Sequence, residues 1–461
     1  MNMKNKLFLA TAILAFAACS ENTYMGDQEG NVTGSGAITF GFDMQNGTRA
    51  GDFIGATAAE KLGGMFVVEG TKGTETTDAP SSTVVFDNYL VGYTANTAGV
   101  TESNTNNWEY VGKQTGITGR MTPTTWTALH TVESPATAAQ TQTVKYWDYS
   151  VPQYDFIAWS TGTLEAVTTD PTANSSVKVT RINTGNTLAT DGFTLTAANA
   201  ADLSKCYYTD INTVVKTNYG KPVTLTFKNM AAKIRIALYE TVPGYSIKEV
   251  KFYTKEATDP THPNDLGTGT STTATLFTMG DDKLSTGGSI TVSYPHIGTT
   301  HRDASPKTQD YNKASVTITP GTTVSNNQEF GTLTNYADKE EYETTGDIYL
   351  GRTLPTATYA GNASDNYYTA VIPNTNGKPL TLRVDYTLVS TDGSAETINI
   401  YGAKAVVPAT YTKWLPNYAY TYIFKISDKS NGTTGTPGDP AGLYPITFDA
   451  TVIDPEASDT Y

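Results

Sequence analysis

Residues 38–44 read Ile-Thr-Phe-Gly-Phe-Asp-Met, and residues 446–452 read Ile-Thr-Phe-Asp-Ala-Thr-Val. In both stretches every second residue is apolar, which is the period that places side chains on one face of a β-sheet. These residues are Ile38, Phe40, Phe42 and Met44 in the first stretch and Ile446, Phe448, Ala450 and Val452 in the second. The repeat predicts two interchangeable strands that fit one place in a sheet. The simpler alternative is two edge strands of ordinary β-domains that share a common pattern.

The composition of the whole chain favours strands. Of 461 residues, 38% are hydrophobic and only 16% are charged, and the chain contains 29 Tyr and 40 Gly. Tyr and Thr favour strands and Gly favours turns, so we expect an all-β fold in a chain long enough for two or three domains. The net charge of -14 argues against nucleic acid as a partner.

Short β-like runs divide the chain into two predicted β-sandwich domains. Runs such as 65–68 and 155–159 alternate with Thr, Asn, Gly and Asp clusters as far as residue 220. Residues 222–227 and 233–238 then alternate cleanly between apolar and polar side chains. The pattern predicts an N-terminal domain over residues 50–220 and a C-terminal domain over residues 221–426.

The first residues indicate export with lipid attachment. Lys4 and Lys6 precede an apolar run over residues 7–18, and two alanines stand before Cys19. This arrangement predicts a lipoprotein signal peptide over residues 1–18, with Cys19 as the lipidated residue. A plain secretory signal cut nearby remains the alternative. Once Cys19 carries lipid, Cys206 is the only other cysteine, so the core rather than a disulfide must hold the fold.

A single basic residue follows the first of the two matching strands. Arg49 is the only Lys or Arg between residue 7 and Lys61, and it lies in a turn-prone stretch. A protease specific for basic residues would cut between Arg49 and Ala50. We therefore interpret residues 19–49 as a propeptide whose strand leaves after cleavage and opens a slot for the last strand of another copy.

The end of the chain is suited to filling that slot. Residues 427–442 are rich in Gly, Thr, Asp, Ser and Pro, and this composition predicts a flexible linker. Hairpin loops usually have two to five residues, so the linker length favours exchange of the terminal strand over local pairing. We interpret residues 427–461 as a linker and donor strand.

No constellation for catalysis or metal binding emerges. His296 and His301 lack a helix-face metal spacing, and the pairs Asp281-Asp282 and Glu340-Glu341 have the character of surface charge. We therefore expect no catalytic residues, metal or cofactor, and no enzymatic activity. The five tryptophans favour core packing, although a sugar-stacking platform is the alternative.

Several motifs resemble those of the Bacteroidales fimbrillins, the subunits of type V pili. They are the lipoprotein signal, the Arg49-Ala50 junction, the run 225–234 (Leu-Thr-Phe-Lys-Asn-Met-Ala-Ala-Lys-Ile), Lys413-Trp414-Leu415-Pro416-Asn417 with the aromatic strand that follows, and Ile446-Thr447-Phe448. The resemblance extends from end to end of the chain. It implies two transthyretin-like β-sandwich domains, a removable first strand and polymerisation by donor strand exchange.

For this chain the resemblance implies a stalk subunit of a cell-surface fimbrium that supports adhesion. Its partners would be other copies of itself, tip and anchor subunits, an Arg-specific surface protease and, through the lipid of the precursor, the outer membrane. Two alternatives remain. The chain could be a monomeric surface lipoprotein that binds glycan or a host protein, or it could be the anchor subunit of the same pilus.

Overall fold

The fold is all-β, as the composition predicts. The computed structural model describes residues 38, 40–44, 53–54, 61–73, 83–93, 108–110, 145–162, 177–182, 192–252, 274–278, 284–294, 313–325, 327–334, 336–338, 348–353, 368–428 and 448–453. Among these residues the strands form sheets of nine, eleven, four and two strands.

The strands in chain order are β1 (Phe40–Met44), β2 (Phe53–Ile54), β3 (Met65–Gly73), β4 (Thr83–Tyr93), β5 (Trp108–Tyr110), β6 (Gln153–Ser160), β7 (Val177–Ile182), β8 (Gly192–Ala197), β9 (Tyr207–Thr209), β10 (Asn212–Val215), β11 (Val223–Asn229), β12 (Ala232–Glu240), β13 (Tyr245–Phe252), β14 (Ala274–Thr278), β15 (Leu284–Ser285), β16 (Gly288–Ser293), β17 (Ser315–Pro320), β18 (Val324–Ser325), β19 (Asn327–Thr334), β20 (Tyr336–Asp338), β21 (Ile348–Leu350), β22 (Thr369–Val371), β23 (Leu380–Ser390), β24 (Thr397–Val407), β25 (Ala419–Ile426) and β26 (Phe448–Ile453). One short helix, α1, spans Ala200–Leu203, and 3-10 turns span Lys216–Asn218 and Ala409–Tyr411.

The nine-stranded sheet has the order β2-β1-β11-β9-β6-β3-β4-β5, with β10 also paired to β6. Strand β6 is buried along its whole length because it contributes to two cores. Phe156 and Ala158 point into one cluster, whereas Ile157 and Trp159 point into the other. A strand covered on both faces has a nearly continuous apolar run, which is the pattern of residues 155–159.

The four-stranded sheet, in the order β17-β16-β8-β7, packs on one face of the nine-stranded sheet. Leu195 of β8 and Ile290 and Val292 of β16 share a buried cluster with Ile157 and Trp159. The two sheets therefore form a sandwich. Strands β7 and β8 come from before the predicted boundary at residue 221, whereas β16 and β17 come from after it.

The eleven-stranded sheet has the order β20-β21-β13-β23-β14-β19-β12-β25-β26. Strand β22 also pairs with β12, and β24 with β23. Its core includes Ile234 and Ile236 of β12 with Tyr422 and Phe424 of β25. The chain passes from the nine-stranded sheet to this sheet between β11 and β12, that is, between Asn229 and Ala232. The division into two transthyretin-like domains at residue 221 stays a prediction.

Candidate assembly site

Strand β1, the predicted removable strand, lies inside the nine-stranded sheet. It pairs in parallel with β11, with Phe40 opposite Val223, Phe42 opposite Leu225 and Met44 opposite Phe227. On its other side it pairs antiparallel with β2 over two residues. The partner β11 alternates buried and more exposed residues, so its apolar side chains face one core. The strand is thus held on both edges by backbone pairing.

The side chains that the structure describes in this segment are fully buried. Ile38 and Phe40 are both 0% exposed. The ring of Phe40 contacts those of Phe66, Phe86 and Phe156 edge-on, with centroids 6.2, 5.5 and 5.8 Å away. Burying two such side chains contributes about 3 to 6 kcal/mol in total. Loss of the strand would therefore open an apolar slot lined by aromatic rings.

A glycine in β3 makes room for this aromatic cluster. A Cβ on Gly70 would lie 2.9 Å from Cδ1 of Phe156 and 3.0 Å from Cδ2 of Phe86. The pairing of β3 with β4 shifts register on both sides of Gly70. The absence of a side chain at this irregular position lets the two rings approach the strand backbone. Sequence reasoning missed this residue because an isolated glycine in a strand pattern indicates only a bulge or a close approach.

The segment 145–152 borders the start of the slot. The backbone nitrogen of Ile38 donates to the carbonyl oxygen of Lys145 at 2.8 Å. Three residues on, the Asp148 carboxylate accepts a 2.7 Å hydrogen bond from Nζ of Lys72 and further bonds from Ser150. Partial burial opposes ionisation of Asp148, but these bonds and the charge of Lys72 outweigh it and lower its pKa to about 2.

A tyrosine joins this segment to the aromatic core. The hydroxyl of Tyr154 accepts a 2.8 Å hydrogen bond from the backbone nitrogen of Asp148, and burial raises the pKa of Tyr154 to about 12. Its ring stacks on Phe156, which contacts Phe40. The Lys72–Asp148 ion pair thus holds the segment 145–152 in place. Tyr154 connects this segment to the aromatic rings that line the slot.

Strand β26, the predicted donor strand, lies at the edge of the eleven-stranded sheet. It pairs antiparallel with β25 of its own chain, with Phe448 opposite Ile426, Ala450 opposite Phe424 and Val452 opposite Tyr422. The linker length predicts exchange rather than local pairing, but in the single chain β26 pairs locally with β25. Among the described strands β26 has one neighbour, whereas β1 has two.

The remaining predicted site residues lie outside the described part of the chain. These are Cys19, Arg49, Ala50 and Ile446. Arg49 and Ala50 lie in the connection 45–52 between β1 and β2. Outside the described residues there also lie both histidines and both acidic pairs singled out from the sequence, namely His296, His301, Asp281-Asp282 and Glu340-Glu341. Three of the five tryptophans, Trp147, Trp159 and Trp414, are buried in the cores.

Neither a metal-binding cluster nor a membrane-spanning helix occurs among the described residues. No group of three or more His, Cys, Asp or Glu side chains there is arranged to hold a metal ion. In the same ranges no helix is long and apolar enough to cross a membrane.

No family model matches the chain, and no curated protein matches it either. It is similar to the solved structure of a fimbrial protein from Bacteroides vulgatus, at 12% identity and a TM-score of 0.42, over 91% of this chain and 99% of the other. A "putative cell adhesion protein" from Bacteroides ovatus is similar at 10% identity and a TM-score of 0.32, over 92% and 98%. Another "putative cell adhesion protein", from Bacteroides uniformis, is similar at 11% identity and a TM-score of 0.28, over 91% of this chain and 98% of the other.

Proposed function

We propose that this chain is a stalk subunit of a cell-surface fimbrium, exported as a lipoprotein precursor and polymerised by donor strand exchange. The observation that carries the proposal is the setting of β1. The strand is paired on both edges and Phe40 is fully buried, yet the chain leaves the strand through the short connection 45–52 that contains Arg49. Cleavage after Arg49 would leave β1 attached to the protein only by non-covalent contacts.

The matching sequences supply the replacement. When residues 446–452 are aligned with residues 38–44, Phe448 corresponds to Phe40 and Val452 to Met44. A donor strand in the direction of β1 would therefore place Phe448 among Phe66, Phe86 and Phe156. Among the described strands β26 pairs only with β25. In the slot it would instead pair with β11, as β1 does, and an emptied sheet position favours such strand addition.

The chain between β25 and β26 is long enough for this exchange. Residues 427–447 separate the two strands. Fully extended, a segment of this length spans up to about 70 Å. The strand could thus leave β25 and reach a neighbouring copy without disturbing the rest of the sheet. A head-to-tail contact of this kind builds a filament where the rotation between copies does not close into a ring.

In this proposal the precursor is anchored to the outer membrane through Cys19, and an Arg-specific surface protease releases the subunit for assembly. Tip and anchor subunits would complete the fimbrium, which would support adhesion. The protein would have no enzymatic role.

The test compares the unchanged chain with Arg49→Ala and Arg49→Lys after treatment with an Arg-specific protease. We expect the unchanged chain to begin at Ala50 and to form high-mass ladders, and both variants to stay monomeric. A Lys-specific protease should restore assembly of Arg49→Lys alone. Filaments whose copies keep a lipidated Cys19 would favour the anchor subunit. Intact lipidated monomers under every condition would favour the monomeric surface binder.

A further inference from the structure

Strand β17 is a free edge of the four-stranded sheet. It pairs with β16 over all six residues without a register shift, from Gly288 opposite Pro320 to Ser293 opposite Ser315. No described strand lies on its other side. A regular edge of this kind presents unpaired backbone groups to any strand that can lie beside it.

The core beneath this edge is incompletely covered. Ile290 and Val292 of β16 are fully buried, whereas Val316 and Ile318, directly opposite them in β17, are only half-buried. Both β17 side chains pack against the same cluster as the β16 residues. Both side chains keep some exposed apolar surface, and a strand added at the free edge would lie beside them and could bury it.

The edge lacks the charges that usually prevent strand addition. Residues 314–325 contain no Lys, Arg, Asp or Glu, although the chain as a whole has a net charge of -14. The opposite edge strand of the same sheet, β7, contains Lys178 and Arg181. Charged residues on edge strands oppose pairing. Two copies of β17 could therefore meet without placing like charges opposite each other.

The sequence of the edge is nearly the same in both directions. Residues 315–319 read Ser-Val-Thr-Ile-Thr. In an antiparallel pair of two such strands centred on Thr317, Val316 would face Ile318 of the other copy, and Ser315 would face Thr319. All apolar pairs then lie on the core face and all hydroxyl pairs on the outer face.

The outer face of this sheet already uses such hydroxyl pairs. The side-chain oxygens of Thr194 and Thr291 are 3.0 Å apart, and those of Thr196 and Ser289 are 2.8 Å apart. Both pairs join β8 to β16. A Thr317–Thr317 contact between copies would extend this row of pairs by one more strand. Cross-strand Thr–Thr and Thr–Ser pairs stabilise antiparallel sheets.

We propose that β17 is a lateral pairing site for a second copy of this chain, with two β17 strands antiparallel about Thr317. The pair joins two four-stranded sheets into one continuous sheet. It uses neither β1 nor β26, so it does not depend on donor strand exchange. In an assembly of this chain it would link subunits side to side.

The register can be tested by disulfide trapping in the full chain carrying Arg49→Ala, purified in detergent and mildly oxidised. In the proposed pair the two Thr317 Cα atoms lie about 4.5 to 5.5 Å apart, within the range that a disulfide bridges. The two Thr319 residues are offset along the strands by roughly 14 Å. Thr317→Cys should therefore give covalent dimers, and Thr319→Cys should not.

Matched controls make the result specific. Ser315→Cys alone should not cross-link, but an equal mixture of the Ser315→Cys and Thr319→Cys chains should. The parent chain reports any link through Cys19 or through Cys206, which is fully buried. We expect a dimer yield for Thr317→Cys at least about tenfold above that of the parent, consistent with a directly opposed pair. Equal yields at residues 317 and 319, or none in any variant that keeps its thermal transition, would overturn the proposal.

Sedimentation measures the fraction of dimer directly and needs no introduced cysteine. Thr317→Lys places two like charges opposite each other at the centre of the pair and should weaken dimerisation. Thr322→Lys adds the same charge beyond the end of β17, at an exposed residue, and should leave dimerisation unchanged. Equal weakening by both variants, or by neither, would contradict the pairing.

Discussion

The ring of Phe40 meets the ring of Phe86 edge-on, with centroids 5.5 Å apart and an interplanar angle of 79°. Phe40 belongs to β1 and Phe86 to β4, which lie far apart in the order of the nine-stranded sheet. The sheet therefore curls so that β1 closes over the face formed by β3, β4 and β6. This curvature makes the first strand part of the core and gives its loss a large energetic effect.

The first prediction concerns this closing contact. Phe40→Ala should lower the free energy of unfolding of the uncleaved chain by about 3 to 5 kcal/mol, because it leaves a cavity between three aromatic rings. Phe40→Leu should cost less, since it fills part of the same volume. Denaturant unfolding followed by tryptophan fluorescence measures both. Equal stability of all three chains would mean that β1 contributes little to the core.

Gly70 offers a test of the other side of the same cluster. Gly70→Ala places a methyl group against Phe156 and Phe86, and we expect a loss of about 1 to 3 kcal/mol from overpacking. Phe156→Leu in the same chain provides space for that methyl group. The two substitutions should therefore be less destabilising together than the sum of their separate effects. Strict additivity would show that the close approach is not the cause.

The sequence predicted the strands well because alternation survives wherever a strand has one buried face. Residues 223–227 of the first alternating run lie in β11, and residues 233–238 lie in β12. Which sheet each strand joins was not predictable, because pairing depends on contacts between residues far apart in the chain. Thus β11 lies beside β1 in the nine-stranded sheet, although the two strands are far apart in the chain.

Much the same holds for the candidate site. The apolar period of residues 38–44 was sufficient to predict a strand, and the burial of Ile38 and Phe40 agrees with it. The parallel partner β11 and the carbonyl oxygen of Lys145 have no local sequence signal, and the isolated Gly70 indicates a bulge or close approach without showing which rings meet it. Each depends on how the sheet curls, which a single sequence without long-range information does not specify.

The Lys72–Asp148 pair predicts a pH dependence. The pKa of Asp148 is lowered from 3.8 to about 2, so its contribution to stability is complete above about pH 3.8 and is lost as the pH falls through about 2. Lys72→Met should raise the pKa of Asp148 and so reduce the loss of unfolding free energy at acid pH. Carbon NMR of the carboxyl group and urea unfolding between about pH 2 and 5 measure the change.

A matched charge removal distinguishes this effect from a general one. Lys205→Met removes a lysine whose Nζ lies 3.6 Å from Asp202, away from the slot. It should leave the Asp148 titration unchanged. If both variants shift Asp148 equally, the net charge of the chain rather than the Lys72 contact controls its pKa.

Asn417 forms a hydrogen bond with Asn229, which lies far away in the chain. The stability of the protein should depend both on this bond and on the backbone conformation of Asn417. Its Oδ1 accepts a 2.8 Å hydrogen bond from the backbone nitrogen of Asn229, and its φ is +69°. Asn417→Gly tolerates that φ but leaves the Asn229 donor without its partner, at a cost of about 1 to 3 kcal/mol. Asn417→Ala adds strain of about 1 kcal/mol.

Asn417→Asp should be the mildest of these three variants, because it keeps an acceptor oxygen and tolerates positive φ. Thermal unfolding of the three variants gives the order directly. The order Asp, Gly, Ala from most to least stable supports a combined role of hydrogen bond and backbone. If Ala and Gly are equal, the positive φ carries no measurable strain.

The last prediction concerns occupation of the slot. A peptide with the sequence of residues 446–453 should bind the chain once it has been cleaved after Arg49, and the peptide of residues 38–44 provides the positive control. Replacing Phe448 by Ala removes the ring that would lie among Phe66, Phe86 and Phe156, so we expect binding to weaken by roughly tenfold to a hundredfold. Replacing Asp449 by Ala changes the opposite face of the strand and should have little effect. Isothermal titration calorimetry measures all four peptides. If the Phe448 and Asp449 variants bind alike, the terminal strand does not occupy the place of β1 in the proposed register.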